Sequence, residues 1–321
     1  MKLSFVIPVY NEEKSLKNLH KKISENIPES SYEIIFINDG STDNSYAIID
    51  EISKNDPHVK AILFRTNFGK AAALQAGFDK AQGDIIFTMD ADLQDDPEEI
   101  PRFIEKIHEG YDLVSGWKKK RKDPITKKWP SKIFNFITSL VFHLKLHDYN
   151  CGFKAYRKEA AKSLNIYGEL YRYIPAIIWS KGFCVTEIPV THHKRKFGKT
   201  KYGAKRFIRG FLDLLTVTMI TKYQRSPLYL FGASGLFISF LGFVISIWLA
   251  VEKIFFNMSL SNRPLLFLGI LLIVVGVQLI SIGLLGEMIV YSSRQKRKTI
   301  EDNKVDENIK SNSQEKNSKN S

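Results

Sequence analysis

Short, unbroken apolar runs alternate with helically spaced apolar positions along the first part of the chain. "LSFVIPVY" (Leu3–Tyr10), "YEIIFIN" (Tyr32–Asn38), "VKAILF" (Val59–Phe64) and "DIIFTM" (Asp84–Met89) are such runs. They are too continuous for half-exposed strands and too short for buried helices, so they predict strands covered on both faces. Between them, Leu16, Leu19 and Ile23 keep the spacing of one helix face. A second helix is expected from about Thr42 to Ile52, and "KAAALQAGFDKA" follows Gly69 as a third. Strand–helix–strand repeats need crossovers, which predicts a parallel sheet with helices on both faces. Ligands of such sheets sit beyond the carboxyl ends of the strands. Pro8–Glu12, Asn38–Gly40, Arg65–Gly69 and Asp90–Gln94 all fall just past strand ends, so they are expected to converge on one crevice.

The pattern changes near the C-terminal end. Leu228–Val251 and Leu265–Gly286 carry no charge, and each reaches the roughly 20 residues that cross a bilayer. Lys222 and Arg225 precede the first, "RQKRK" (Arg294–Lys298) follows the second, and the short loop "EKIFFNMSLSNR" joins them. Basic residues at both outer ends place those ends in the cytoplasm. The N-terminus has one short apolar run interrupted by Pro8, unlike a secretory leader, so the first domain is expected to stay in the cytoplasm. Glycines 232, 235, 242, 269, 276 and 283 are typical of packed membrane helices, and they hint at self-association. Ser131–Leu146 and Lys205–Lys222 are amphipathic; they read as helices lying in the headgroup plane or as ordinary packing within the first domain. The resulting division is a cytoplasmic domain over residues 1–222, with interfacial helices near 131–146 and 205–222. A multi-pass membrane domain over 223–293 follows, and then a tail over 294–321, read as disordered from its Lys, Asn, Ser and Glu content.

Charge gives this division a purpose. The chain of 321 residues carries a net charge of +13. Much of the excess lies in Lys118–Lys128, His192–Arg206 and Arg294–Lys298, each beside apolar or amphipathic segments. That placement points to a membrane surface and anionic phosphates rather than nucleic acid, for which no module pattern is present. Two cysteines, Cys151 and Cys184, make no disulfide framework and suit a reduced compartment.

The densest chemistry is "DADLQDD" (Asp90–Asp96), four aspartates within seven residues directly after the fourth predicted strand. Carboxylates so close repel unless a cation holds them. Asp90, Asp92 and Gln94 put three side-chain oxygens at alternate positions, on one side of an extended segment. A hard divalent cation takes such ligands and completes its shell with substrate phosphates, so a metal here can bridge a nucleotide's pyrophosphate. A calcium loop would need a glycine after Gln94, which is absent. Asp95 or Asp96 is expected instead to cap the next helix, with Pro97 in its first turn and Glu98 and Glu99 on its dipole. In "NDGSTD" (Asn38–Asp43), Ser41 or Thr42 can cap the following helix, and Asp39 can accept a hydrogen bond from a base ring N–H.

Taken in order, "FVIPVYNEE", "INDGSTD", "RTNFGKAAALQAG", "MDADLQDDPE", "HDYNCGFKAYRKEA" and "FGKTKYG" resemble the family 2 glycosyltransferases of GT-A fold. Within them the chain is most similar to the polyprenyl-phosphate subgroup, typified by dolichyl-phosphate mannose synthase and bactoprenol glucosyltransferase. The resemblance extends from about Leu3 to Ser292. It implies an α/β, Rossmann-like GT-A domain followed by interfacial helices and two transmembrane helices. Pro8, Tyr10, Glu12 and Asp39 would line the nucleotide-base pocket, and Asp90, Asp92 and Gln94 would hold Mg2+ or Mn2+. Arg195 and Lys201 would close a basic loop over the donor pyrophosphate and the acceptor phosphate, with Thr200 supplying the hydroxyl that family members place on serine. Family arginines near Trp117 make Lys118 and Arg121 the candidates for the acceptor phosphate, while His193 replaces a more permanent charge. Asp148 either orients the donor sugar or is a plain loop aspartate.

The implied reaction is inverting transfer of glucose or another hexose from a nucleoside-diphosphate sugar, UDP-linked by analogy, to undecaprenyl phosphate in the plasma membrane. The product would be a lipid-linked donor for cell-envelope glycosylation. A phosphate monoester is already mostly ionised at neutral pH, its second pKa being about 6, so no strong general base is required. One rival is a processive polysaccharide synthase of the same fold. It would carry a Q-x-x-R-W motif, which none of Trp117, Trp129, Trp179 and Trp248 completes. A non-enzymatic adaptor with a calcium loop is the other.

Overall fold

The computed structural model describes residues 1–27, 31–119, 125–193, 206–223, 226–256 and 263–318. The chain divides into two compact units, Met1–Thr221 and Lys222–Ser321.

The first unit is a three-layer α/β/α domain. Its strands are β1 (Leu3–Val9), β2 (Tyr32–Asn38), β3 (Val59–Leu63), β4 (Ile85–Thr88), β5 (Leu113–Trp117), β6 (Lys154–Arg157) and β7 (Val185–Pro189). They form one sheet in the order β3-β2-β1-β4-β6-β5-β7. The four strands read from the apolar runs pair in parallel, β1 with both β2 and β4, and β2 with β3. The expectation of a purely parallel sheet fails beyond β4. There β6 pairs antiparallel with both β4 and β5, and β5 pairs parallel with β7. The reason is local: β6 is only four residues long and begins with a lysine, so it gives no apolar run to read.

Residues of β1 alternate between the sheet's faces, as a strand must. Leu3, Phe5, Ile7 and Val9 pack with α1 (Leu16–Asn26), α2 (Ser45–Asn55) and α4 (Ile100–His108). Val6 joins α3 (Lys70–Lys80), α6 (Lys158–Lys162) and α7 (Ile174–Ser180) on the other face. Phe5 stacks on Phe87 at 5.1 Å between ring centroids, tying β1 to β4 through their side chains. Strand order runs in opposite directions on the two sides of β1, whose neighbours are β2 and β4. The carboxyl ends of β1 and β4 are therefore the switch point at which open α/β sheets bind ligands.

The two amphipathic segments form α5 (Ile125–Phe142) and α8 (Arg206–Thr221), and one face of each packs within the first unit. Phe142 and Val217 are buried in the core, while Phe134, Val141 and Leu214 pack against it. The opposite faces expose Ile133, Phe136, Leu140, Leu212 and Leu215.

The second unit is a pair of long helices, α9 (Pro227–Phe256) and α10 (Pro264–Ser318). Each contains a stretch long and apolar enough to cross a membrane, Pro227–Phe255 and Pro264–Ser292. Their glycines face each other within the chain. A β-carbon on Gly235 would lie 2.5 Å from the Gly276 carbonyl, and one on Gly242 would lie 2.5 Å from that of Gly269. The hint of self-association thus loses its ground, because these small residues serve the α9–α10 contact. The tail read as disordered continues α10 as helix through Ser318. Its Lys, Glu and Gln residues are good helix formers, and extension of a formed helix avoids the cost of nucleation.

Candidate active site

Four loops at the carboxyl ends of the first strands are joined in a chain of contacts. The Asn11 N–H donates to Ser41 Oγ at 3.0 Å, and Thr42 N–H donates to Asn11 Oδ1 at 2.7 Å. Glu12 N–H donates to Ser45 Oγ at 3.0 Å, and Glu13 N–H to Asp43 Oδ2 at 3.2 Å. These bonds use the hydroxyl expected to cap α2. The helix starts at Ser45 behind Asn44, and Asp43 Oδ1 accepts the Ser45 N–H.

Asp39 links the second loop to the third. It accepts the Phe68 N–H at 2.7 Å on Oδ1 and the Gly69 N–H at 3.0 Å on Oδ2. Burial pushes its carboxyl up, against the pull of those two N–H groups. The residue expected to meet a base thus also anchors the approach to α3. Gly40 is required beside it. Its φ of 65° lies in the left-handed region, and a β-carbon would sit 2.6 Å from the Asn67 nitrogen.

The third loop meets the fourth through an ion pair between the Lys70 ammonium and Asp90 Oδ1. Asp90 lies at the end of β4, with its carboxylate pressed against the Gly152 backbone, where a β-carbon would fall 2.5 Å from Oδ2. Desolvation raises the Asp90 pKa, but the charges of Lys70, Lys118 and Lys154 outweigh it and hold the carboxyl at about 2. Asp92 Oδ1 accepts the Gln94 N–H at 3.2 Å. The Gln94 amide nitrogen donates to the His193 carbonyl at 3.2 Å, and His193 N–H returns a bond to the Gln94 carbonyl at 2.9 Å. Asp95 and His192 form an antiparallel bridge at the same place. The segment bearing the aspartates is thus paired to the chain that leads into the basic loop. A small cleft beside it is lined by Pro8, Lys70, Asp90, Asn150, Lys154 and Tyr171, among others.

One expectation for this segment is met and another needs correction. Asp96 does cap the turn over Pro97–Glu99, accepting the Glu98 N–H. Asp95 does not. Its side chain is 1% exposed, 3.7 Å from Lys118 Nζ, and its Oδ1 accepts no hydrogen bond among the described residues. Locally "DDPEE" reads as a cap; only the tertiary placement of Lys118 makes Asp95 an internal counter-ion. Lys118, expected on the acceptor phosphate, is itself 13% exposed and turns into this carboxylate group. Asp95, Asp90 and Asp148 raise its pKa although burial opposes them. Asp148 is buried, with Oδ1 accepting the Asn150 N–H at 3.1 Å.

Sequence reasoning missed Lys70 and Lys154. Lys70 opens α3 directly after the Gly69 turn. Lys154 is buried in β6 with its ammonium on the Cys151 carbonyl, and burial lowers its pKa. A lysine at the head of a strand was the only available signal. Arg121, Arg195, Thr200 and Lys201 lie outside the described residues. Tyr10 and Glu12 are half-buried in the first loop.

The donor set suits a divalent cation. Among the described residues no three His, Cys, Asp or Glu converge as a closed metal cage. The segment is turned rather than extended, with Leu93 at a φ of 59°, so the alternate-position argument fails and the fit rests on chemistry: two carboxylates and an amide carbonyl on one short segment match an ion that keeps substrate oxygens in its shell. The close approach of Gly152 to Asp90 further shows a carboxylate held in a cradle.

A mixed sheet with paired aspartates at its switch point defines the GT-A class of nucleotide-diphospho-sugar transferases. Residues 4–164 match glycosyl transferase family 2, and the chain belongs to that family. A dodecaprenyl-phosphate galacturonate synthase from Rhizobium johnstonii is 36% identical over 298 residues, covering 90% of this chain and 88% of that protein. An undecaprenyl-phosphate 4-deoxy-4-formamido-L-arabinose transferase from Pseudomonas aeruginosa is 35% identical over 291 residues, covering 89% and 84%. Among solved structures, glucosyl-3-phosphoglycerate synthase from Mycobacterium tuberculosis, in complex with Mn2+, UDP-glucose and phosphoglyceric acid, shares the fold. Its TM-score is 0.52 at 18% identity, covering 68% of this chain and 79% of that one. The protein is therefore a glycosyltransferase.

Proposed function

We propose that the protein transfers a sugar from a nucleoside-diphosphate donor to a polyprenyl phosphate at the cytoplasmic face of a membrane, inverting the anomeric centre. The observation that carries this reading is the union, in one chain, of an aspartate pair at the sheet's switch point with two helices apolar enough to span a bilayer. Both relatives named above act on polyprenyl phosphates, which supports the acceptor class. The donor to test first is a UDP-linked hexose, glucose foremost. The relatives' galacturonate and formamido-arabinose widen the panel to hexuronic acids and amino-pentoses.

Asp90, Asp92 and Gln94 would hold Mg2+ or Mn2+, which, when bound, supplies positive charge to the donor's diphosphate. This chain's own residues do the rest. Pro8, Tyr10, Glu12 and Asp39 surround the base. Lys70 and Lys154 keep the floor of the cleft positive, and Lys118 neutralises Asp95 and its neighbours. Arg195 follows two residues after His193, which hydrogen-bonds to the Gln94 segment. Arg195 is assigned to stabilise the diphosphate as its charge develops. Arg121, Thr200 and Lys201 are assigned to the acceptor phosphate. That phosphate attacks as an anion, so the protein must hold two anions together rather than remove a proton. Asp148, buried beside Lys118, orients the donor sugar through the loop it anchors. The exposed apolar faces of α5 and α8 suit a membrane surface, where a polyprenyl chain resides. Lys222 and Arg225 before the first span and Arg294–Lys298 after the second argue for cytoplasmic ends.

The test is incubation of membranes with labelled nucleotide sugars and polyprenyl phosphate. Label in a chloroform-soluble, mild-acid-labile product supports the reading. Label in a long water-soluble polymer would identify a processive synthase instead. No transfer from any donor would leave a non-enzymatic role.

A further inference from the structure

Lys70 stands out among the cations of the site because of where its charge rests. Lys118 is matched to Asp95, and Lys154 is buried on a main-chain carbonyl. The Lys70 ammonium lies on Asp90 Oδ1 itself, one of the oxygens assigned to a metal ion. An ammonium resting on that oxygen makes a divalent cation beside it costlier to bind, since like charges so close repel. Lys70 is also able to leave. Its side chain is 26% exposed, it belongs to the first turn of α3, and the Tyr171 ring lies 5.4 Å from its ammonium. That aromatic face already shares the ammonium with Asp90 and can keep hold of it when the carboxylate is given up. Asp90 lies close against Gly152, so its carboxylate is placed to stay at the site when Lys70 leaves.

We propose that Lys70 competes with the divalent cation for Asp90, so that the protein binds the ion weakly alone and firmly only together with a nucleotide diphosphate. The inference rests on the metal reading above. A diphosphate brings enough negative charge to draw Lys70 away from Asp90 and to compensate the site's three lysines. The consequence is an order of binding: ion and nucleotide enter as one complex, and an ion without nucleotide is not retained. The structure thus gives Lys70 a positioning role, acting through Asp90.

Mn2+ binding to the full-length, detergent-solubilised protein tests this without any turnover. Water-proton relaxation enhancement reports ion held on the slowly tumbling protein rather than on free nucleotide; UDP and GDP are used in parallel as probes. For the wild type, one of the two nucleotides should tighten Mn2+ binding by at least about tenfold, equivalent to about 1.4 kcal/mol. Lys70→Met, which keeps the apolar stem, should bind Mn2+ alone about tenfold more tightly and lose most of the nucleotide dependence. Lys70→Arg should stay as weak as wild type. Unchanged or weaker Mn2+ binding in Lys70→Met overturns the proposal, as does a wild type indifferent to both nucleotides. Asp92→Asn separates the two levels of inference. If it abolishes Mn2+ binding while Lys70→Met changes nothing, only the Lys70 proposal falls; if it binds Mn2+ normally, the metal assignment falls as well.

Discussion

A methyl group is enough to probe the site's tightest contact. A β-carbon on Gly152 would meet only the far end of the Asp90 side chain, 2.5 Å from Oδ2. The carboxylate can rotate away at little cost to folding, but it then leaves the position from which it faces Lys70. Gly152→Ala should therefore melt within a few degrees of wild type while losing on the order of 100-fold in transfer rate, the scale of a misplaced electrostatic group. Thermal melts and initial rates on the same preparation check the two halves. Asp95 should behave in the opposite way. It is a buried charge whose partner, Lys118, is nearly as buried. Removing one member of such a pair costs about 3–5 kcal/mol; Asp90 and Asp148 also face Lys118, so Asp95→Asn should fall at the lower end of that range. Adding Lys118→Met should recover only part of the lost melting temperature, because Asp90 and Asp148 lose a counter-ion along with it. A double variant no better than the single would mean that Asp95 stabilises the fold independently of Lys118. Neither residue's part was legible from its neighbours in sequence. Asp95 sits in a capping pattern, and its counter-ion lies 23 positions away along the chain.

Among the elements, what was legible followed from burial on both faces. The strands β1, β2 and β4 announce themselves because a covered parallel strand is apolar almost throughout, and their loops inherit the ligand-binding end of the sheet; β3 is instead the edge strand and exposes Lys60, Ala61 and Leu63, so the expectation of cover on both faces fails there. The second half hid because β6 is short, begins with Lys154 and ends with Arg157. The polar ties between elements hid as well. Glu33 is the clearest. Within β2, its Oε1 accepts from Ser4 Oγ of β1 at 2.6 Å and from Gln82 N–H at 2.7 Å, and its Oε2 accepts from Lys60 Nζ of β3 at 2.7 Å. Burial raises its pKa, but those donors together bring it below the ordinary value. A carboxyl depressed on folding contributes stability that is full above its unfolded value of 4.5 and is lost as pH falls through the lower folded value. Glu33→Gln should lower stability at neutral pH by about 1–3 kcal/mol and flatten the acid limb of a melting-temperature-versus-pH profile. In the other unit, side chains at the α9–α10 contact are constrained as tightly. A β-carbon on Gly276 would meet Ser239 Oγ and the Gly235 carbonyl, the latter at 2.5 Å. Gly276→Leu should lower the melting temperature in detergent by the equivalent of about 1–3 kcal/mol. Leu271→Ala, on the exposed side of the same helix, should be nearly silent.

The whole molecule joins a water-soluble chemistry to a lipid one, and that union makes a demand on topology. In the proposed reaction the nucleotide sugar is cytoplasmic, and that reading requires the first unit on the same side of the membrane. Two spans would then return the chain to that side. The two cysteines supply an internal reporter. Cys184 is exposed and lies in the first unit, ahead of β7. Cys151 is fully buried beneath the aspartate segment, and burial pushes its thiol up to about 12, so it is neither reachable nor ionised near neutral pH. A membrane-impermeant maleimide should therefore label inverted membrane vesicles with one equivalent per chain and leave intact cells unlabelled. Cys184→Ser should remove the label from the inverted vesicles, and denaturation should expose the second thiol. Labelling of Cys184 in intact cells would put the catalytic unit outside and remove its access to cytoplasmic donors. The polyprenyl-phosphate reading would then need a nucleotide sugar on the far side of the membrane. Two equivalents in native inverted vesicles would show that the packing over Cys151 opens in solution, and with it the wall against which Asp90 is held.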